Sequence, residues 1–298
     1  MSTHWSAQSN PNDRSERKQA TLAAPMRFEG VGLHTGERAT VDVQPAEPGS
    51  GIVFLLRSPR DPGVTVSVPA VAENVVDTSR ATVVGLDGAS VSTTEHLLSA
   101  LFASGVSNAR IAVEGPEIPI CDGSAQNFVE AIERAGVTMQ DRPRTVVTLT
   151  QPYVLRAGDR LVAALPAPAF RVRFVAEFAP PVGTQYFDAE VDAQLYEREI
   201  AGARTFGYLH ELEGLHARGL ARGASLENAL VFTPEGPMQP LRWSNEVVRH
   251  KVLDLIGDFA LLGAWPQFEI VAVKSGHEMH ARATRALREA AKEIAWEP

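Results

Sequence analysis

The chain has 298 residues, enough for one large domain or two of ordinary size, and its 44% hydrophobic and 21% charged residues suit a globular protein with a real core. A formal net charge of -8 excludes a general nucleic-acid surface, although a local basic patch could still hold a phosphate. The single cysteine, Cys121, excludes an intramolecular disulfide, and no run approaches the roughly 20 apolar residues of a membrane span.

The opening stretch "MSTHWSAQSNPNDRSERKQA" is polar and has no apolar signal-peptide core, so residues 1–19 read as a disordered lead-in and the protein as cytoplasmic. Alternating runs at 39–46, 51–57 and 63–70 predict strands. Residues 79–93 predict a hairpin turning at Asp87-Gly88. "TTEHLLSALFASG" then predicts a helix, with Thr93 or Thr94 as N-cap and Gly105 at its C-terminal end. A strand at "ARIAVEG", a tight loop at "EIPICDGSA" and a helix ending at Gly136 follow. The polar stretch "QDRPRTV", 140–146, reads as a linker between domains 20–141 and 142–298, after the lead-in 1–19. Strands are expected at 145–155, 160–165 and 170–178, then a helix near 189–201 and an irregular stretch containing "RGLARGAS". A helix over "VVRHKVLDLIGDFALLG", the strand "FEIVAVKSG" and a helix over 278–294 close the chain. Each half is thus strands followed by helices, an α+β organisation in two similar layered halves. Identity between the halves is too weak to define a repeat from the letters alone.

In "RHKVLDLIGDF", His250, Asp254 and Asp258 recur every four residues, which places them on one edge of a helix. Such a stripe is usually a face turned to water, and two ligands at i and i+4 do not make a metal site. "STTEHLLSA" adds Glu95 and His96 at a helix start without the second histidine of the HExxH zinc helix. Combined, His96, His250 and Asp254 supply two imidazoles and a carboxylate, which leaves a zinc position open as catalytic sites require. Glu95, turned roughly 100° from His96, is free to act on water rather than on the metal. "KSGH" sets His277 at a strand end, and "GARTFGY" offers the hydroxyl of Thr205 to a developing oxyanion. Taken singly, an exposed histidine and an ordinary strand threonine are the commoner readings. "GVGLHTG" lacks the context of a phosphate loop and reads as a glycine-rich turn with a structural His34. Cys121 has no neighbouring His or Lys to activate it, and His210, His216 and His280 have no partner identifiable from sequence.

The ordered set "GVGLHTG", "TTEHLL", "EIPICDGSA", "ARTFGY", "VVRHKVLDLIGD" and "KSGH" resembles the UDP-3-O-acyl-N-acetylglucosamine deacetylase family, the zinc amidases of lipid A biosynthesis. The likeness spans roughly residues 19–297. It implies two similar α+β domains of the ribosomal-S5-domain-2-like kind, with the site between them and an inserted segment in the second. By matching position it implies one zinc ion on His96, His250 and Asp254, Glu95 as general base, and His277 as acid oriented by Asp258. Thr205 matches the oxyanion donor and Lys251 a lysine near the substrate phosphates. Phe178 and Glu177 match uridine contacts, Arg160 a diphosphate contact, and Phe206 the lining of an acyl channel. Ala81 stands where some members have cysteine, and Ser79 and Arg80 are more polar than residues some members place by that channel.

The resemblance therefore implies hydrolysis of the acetamide of a UDP-linked, 3-O-acylated N-acetylglucosamine by a cytoplasmic monomer, the committed step of lipid A biosynthesis. The alternatives are a zinc amidase for another acetylated nucleotide sugar, or a non-catalytic binding protein on the same fold. A pure binder would need neither Glu95 nor the His277/Asp258 pair.

Overall fold

A computed structural model describes residues 18–293. The lead-in expected over 1–19 lies outside these residues, except that Lys18 and Gln19 already belong to the first strand, β1 (Lys18–Leu22). Next come β2 (Met26–Val31), β3 (Arg38–Pro45), β4 (Ile52–Arg57) and β5 (Thr65–Pro69). A small insert of β6 (Val75–Asp77), β7 (Val83–Leu86) and β8 (Ala89–Val91) precedes α1 (Glu95–Ala103), β9 (Ala109–Glu114) and α2 (Gln126–Ala135). After β10 (Val137–Pro143) and β11 (Val146–Thr148) the order recurs with β12 (Tyr153–Ala157), β13 (Arg160–Pro166), β14 (Arg171–Glu177) and β15 (Thr184–Glu190). The second insert holds α3 (Ala193–Glu199), β16 (Phe206–Tyr208), α4 (Leu212–Ala217), β17 (Leu230–Thr233) and β18 (Gly236–Pro237). Then follow α5 (Glu246–Ala260), β19 (Trp265–Val273) and α6 (His277–Glu293).

The fold is α+β, and its two larger sheets share one topology. One runs β2-β3-β9-β4-β5, the other β12-β13-β19-β14-β15 with β11 added on β19. Along each path the pairs are antiparallel except where the late strand lies parallel to the third, β9 on β4 and β19 on β14. The two halves are therefore the same arrangement written twice, although their letters do not show it. Alternation explains the strands: in β3, Ala39, Val41 and Val43 are buried while their neighbours face outward.

Local chemistry accounts for most boundaries. Asp87 and Gly88 both adopt positive φ, 53° and 84°, as a tight hairpin turn requires. Helix α1 ends on Gly105 at φ 75°, with Gly105 N–H on Phe102 C=O and Val106 N–H on Leu101 C=O. Thr94 stands at the N-cap position as expected, but its side chain makes no capping bond. Thr94 donates its hydroxyl to Thr82 C=O, and Thr93 donates to the buried carboxylate of Glu117.

Four expectations change. The stretch expected as a linker is strand up to Pro143, because β10 pairs with β1 and satisfies its backbone there. The strand expected over 145–155 divides into β11 and β12 around Pro152. Residues 184–190, partly assigned to a helix, form β15 against β14, and the helix starts only at Ala193 behind the Asp192 cap. The irregular stretch is flanked by the three-stranded sheet β16-β17-β18.

Helix α5 lies on β14 and β15, and α1 packs directly across it. Leu97, Leu98 and Leu101 of α1 join Val252, Leu253, Leu255, Ile256 and Phe259 of α5 in one continuous core. Each such side chain contributes about 1.5–3 kcal/mol by burial. The helices meet backbone to backbone, for a Cβ at Gly257 would lie 2.1 Å from the carbonyl oxygen of Glu95. Gly257→Ala is therefore expected to cost at least about 3 kcal/mol of stability, at the upper end of overpacking effects because the obstacle is backbone. Denaturant unfolding of the variant beside the parent measures it.

Candidate metal centre

The α1–α5 crossing brings the first turn of one helix against the middle of the other. His250, Asp254 and Asp258 are only 3%, 2% and 0% exposed, so their shared edge is not a face toward water. The Asp254 Oδ1 atom lies 3.3 Å from His250 Nε2 and 3.7 Å from His96 Nε2. Ligand atoms around tetrahedral zinc stand about 3.3 Å apart, given metal bonds near 2.0–2.1 Å. Asp254 Oδ1 is buried without a hydrogen-bond partner among the described residues, an orphan that a cation would satisfy. Burial pushes His96 down to about 3 and lowers His250 too, so both rings are neutral and hold a lone pair for a metal. The Nδ1–H of His250 donates to Ala203 C=O at 3.0 Å, which leaves the Nε2 lone pair turned to the cluster. Burial opposes the charge of Asp254, yet the Lys251 ammonium and the cationic His277 hold it well below the usual carboxylate range. These three residues form a group that could hold a metal ion.

Beside them stand a carboxylate and an imidazole with opposite perturbations. Glu95 accepts the Thr82 N–H at 3.0 Å on Oε2, while its Oε1 lies 3.8 Å from His277 Nε2. Burial raises Glu95 to about 7 despite the pull of His277, with Asp254 and Asp258 adding to the rise. For His277 burial opposes the charge, but Asp258 and Glu95 outweigh it and raise the ring to about 9. The link to Asp258 is direct, His277 Nδ1 to Oδ2 at 2.8 Å. Asp258 Oδ1 meanwhile accepts the Thr82 hydroxyl at 2.5 Å.

The segment 202–205 is bolted from both sides. The buried Glu246, one turn before His250 on α5, accepts Arg204 Nε at 2.9 Å, Arg204 N at 3.2 Å and Arg242 N at 2.6 Å. Arg242 in turn donates to Gly202 C=O at 2.6 Å and to Asp122 at 2.9 Å. Between these anchors Ala203 presents the carbonyl that orients His250. Thr205 is tied by its N–H to Gly123 C=O at 2.7 Å, and no hydrogen bond occupies its hydroxyl among the described residues. Phe206 meets the edge of His250 at 6.4 Å between centroids and Phe178 at 4.9 Å, an aromatic wall beside the ligand cluster.

Of the remaining sequence candidates, Glu177 and Arg160 sit further out, while Lys251 touches the cluster. Lys251 is ion-paired to Asp254 Oδ2 at 2.5 Å, which uses one of its three ammonium donors. Glu177 pairs with Lys274 at 3.1 Å, and Arg160 with Glu278 at 3.7 Å, both on exposed surface. Arg80, with φ 76°, reaches Glu211 at 3.8 Å across the two inserts. The turn carrying His34 is held by Glu117, which accepts the N–H groups of His34 and Thr35 at 3.0 and 2.8 Å. Burial raises the Cys121 thiol to about 11, which fits its inert reading.

Three parts of the site escape sequence reasoning. Thr82 lies 176 residues from Asp258 and carries no local signal. The Glu246–Arg204 pair likewise joins distant segments. His280 has partners after all, Asp258 Oδ2 and Ser275 Oγ, both at 2.8 Å. Its i+3 spacing from His277 on a helix was the one signal that could have found it.

Two neutral imidazoles and a carboxylate that could hold a metal ion stand beside a second carboxylate raised to about 7 and a cationic imidazole, groups of the kind a hydrolase uses. Comparison with known proteins gives that class its family. Residues 19–289 match the family described as UDP-3-O-acyl N-acetylglycosamine deacetylase (LpxC). The chain is 44% identical over 265 residues to the UDP-3-O-acyl-N-acetylglucosamine deacetylase of Syntrophotalea carbinolica, covering 88% of this chain and 85% of that one. It is 43% identical to the protein of that name from Geotalea uraniireducens, with the same coverage. It is 44% identical over 284 residues to the one from Phenylobacterium zucineum, covering 93% and 95%. The chain belongs to this deacetylase family and is an enzyme of the amide-hydrolysing class.

Three outcomes follow from the geometry. Breaking the buried Glu246–Arg204 pair by Glu246→Ala should cost about 3–5 kcal/mol in thermal or denaturant unfolding, because it leaves a buried guanidinium uncompensated. In the pH profile of kcat/KM, the alkaline limb should fall near the His277 value of about 9. Asp258→Asn removes the carboxylate that raises that imidazole, so the limb should move to lower pH.

Proposed function

We propose that the chain is a zinc-dependent deacetylase of UDP-3-O-[(3R)-3-hydroxyacyl]-N-acetylglucosamine. It releases acetate and the UDP-3-O-acyl-glucosamine amine, the committed step of lipid A biosynthesis. The observation that carries this reading is the pairing of Glu95, raised to about 7, with cationic His277 only 3.8 Å away, beside the His96, His250 and Asp254 cluster. An amide hydrolase needs a base for water and an acid for the leaving nitrogen, and these two side chains hold those protonation states near neutral pH. The names of relatives 41–44% identical support the substrate.

His96, His250 and Asp254 are the residues that would hold zinc. When bound there, zinc supplies a Lewis acid that polarises the amide carbonyl and acidifies water. Glu95 takes a proton from the attacking water, since its carboxylate is desolvated enough to be basic near pH 7. Thr205 offers its hydroxyl to the developing oxyanion. His277 gives the Nε2 proton to the departing nitrogen as the C–N bond breaks, while Nδ1 stays on Asp258. Phe206 lines the acyl channel, Phe178 and Glu177 contact uridine, and Lys251 and Arg160 meet the phosphates. The enzyme is proposed to be a cytoplasmic monomer; no described helix is long and apolar enough to cross a membrane.

Purified protein should carry about one zinc per chain and release acetate from the acylated substrate. Glu95→Ala should keep the metal and lose about 10²–10⁴-fold in kcat, the usual worth of acid-base assistance. The His96→Ala/His250→Ala protein should lose the metal. Elemental analysis coupled to the acetate assay reads each result, and full turnover by Glu95→Ala would overturn the base assignment. Comparing acylated with non-acylated UDP-N-acetylglucosamine tests the substrate itself.

A further inference from the structure

His280 is fully buried, takes no part in the chemistry above, and shares one oxygen with His277. Both residues lie in the first turn of α6, three apart, and both Nδ1 atoms stand 2.8 Å from Asp258 Oδ2. The other nitrogen of His280 lies 2.8 Å from Ser275 Oγ, on the short segment between β19 and α6. Its ring is walled by Phe174 at 6.3 Å and Phe259 at 6.4 Å between centroids, so packing fixes the plane in which Nδ1 meets Asp258. Burial lowers the basicity of His280, in keeping with a neutral ring that donates from Nδ1 and accepts the Ser275 hydroxyl at Nε2. An apolar residue could fill the same volume between the two phenylalanines, and packing therefore does not explain an imidazole here.

We propose that His280 is a positioning residue for the deacetylation, holding the Asp258 carboxylate in the one rotation that orients His277. The carboxylate has three side-chain anchors: Thr82 on Oδ1, and His277 and His280 on Oδ2. Of these, Thr82 also approaches His277 Nδ1 at 3.2 Å and the His277 ring must change charge during turnover. Among the described residues, only His280 and its serine hold the Asp258 carboxylate without hydrogen-bonding to His277, whose ring His280 meets edge-on at 6.3 Å between centroids. Freed from that anchor, the carboxylate turns about its terminal bond, and the His277 ring that follows it loses its aim.

The proposal rests on the deacetylase reading for its kinetic arm, and a spectroscopic arm stands apart from that reading. In zinc-loaded protein, His280→Leu keeps the packing but removes the donor, and kcat should fall about 10–100-fold with KM and zinc content unchanged, as for other small misplacements of catalytic groups. His280→Asn, whose amide N–H can reach the same oxygen, should recover most of that loss. Full kcat in His280→Leu, an equal loss in both variants, or a loss confined to KM would overturn the proposal. ¹⁵N-histidine NMR of the parent should show His280 as the neutral Nδ1–H tautomer. An Nε2–H tautomer overturns it, whether or not the leucine variant folds and whatever substrate the enzyme takes.

Discussion

The contact on which the site depends is the backbone approach of α5 to α1 at Gly257, where a Cβ would stand 2.1 Å from Glu95 C=O. A side chain there would separate the helices by more than the tolerance of the ligand geometry. Glu95 and His96 come from one helix and His250, Asp254 and Asp258 from the other, so their spacing is the interhelix distance itself. The two sheets then act as supports for that crossing. Each half contributes one central helix, and the repeated topology sets the two helices face to face.

Burial does two opposite jobs within a few ångströms. It takes Glu95 up to about 7 by removing water, while His277, equally enclosed, is kept charged at about 9 by Asp258 and Glu95. Such groups are costly to bury, and the fold offsets the cost by pairing almost every one of them. Asp258 has Thr82, His277 and His280, Asp254 has Lys251, and Glu246 has Arg204. Asp254 Oδ1 and His96 Nδ1 are left over, and the first of these sits within the ligand cluster. The one buried carboxylate oxygen of the cluster without a donor thus lies in a group that could hold a metal ion.

Much of this was legible in the letters. Period-two alternation marked β3, β4, β5, β9, β13, β14 and β19, and the Asp87-Gly88 turn and Gly105 stop were set by backbone chemistry that glycine alone makes easy. The spacing of His250, Asp254 and Asp258 predicted their common edge, yet could not tell which way it faced, since water and a second helix both accept a polar stripe. Strands that depend on partners rather than pattern were misread. β10 is polar and forms because β1 is there to bond it, and β15 because β14 offers an edge.

What the sequence determined by itself is therefore local: which segments form helices or strands, which residues share a helix edge, and which residue types are chemically competent. What only the tertiary structure decided is partnership across the chain. Thr82 on Asp258, Glu246 on Arg204, the Ala203 carbonyl on His250 and the shared grip of His277 and His280 on one oxygen all join segments that periodicity cannot connect. The physical reason is one of range. Backbone sterics and side-chain alternation act over a few residues, whereas charge states and orphaned atoms depend on which surfaces the packed helices exclude from water.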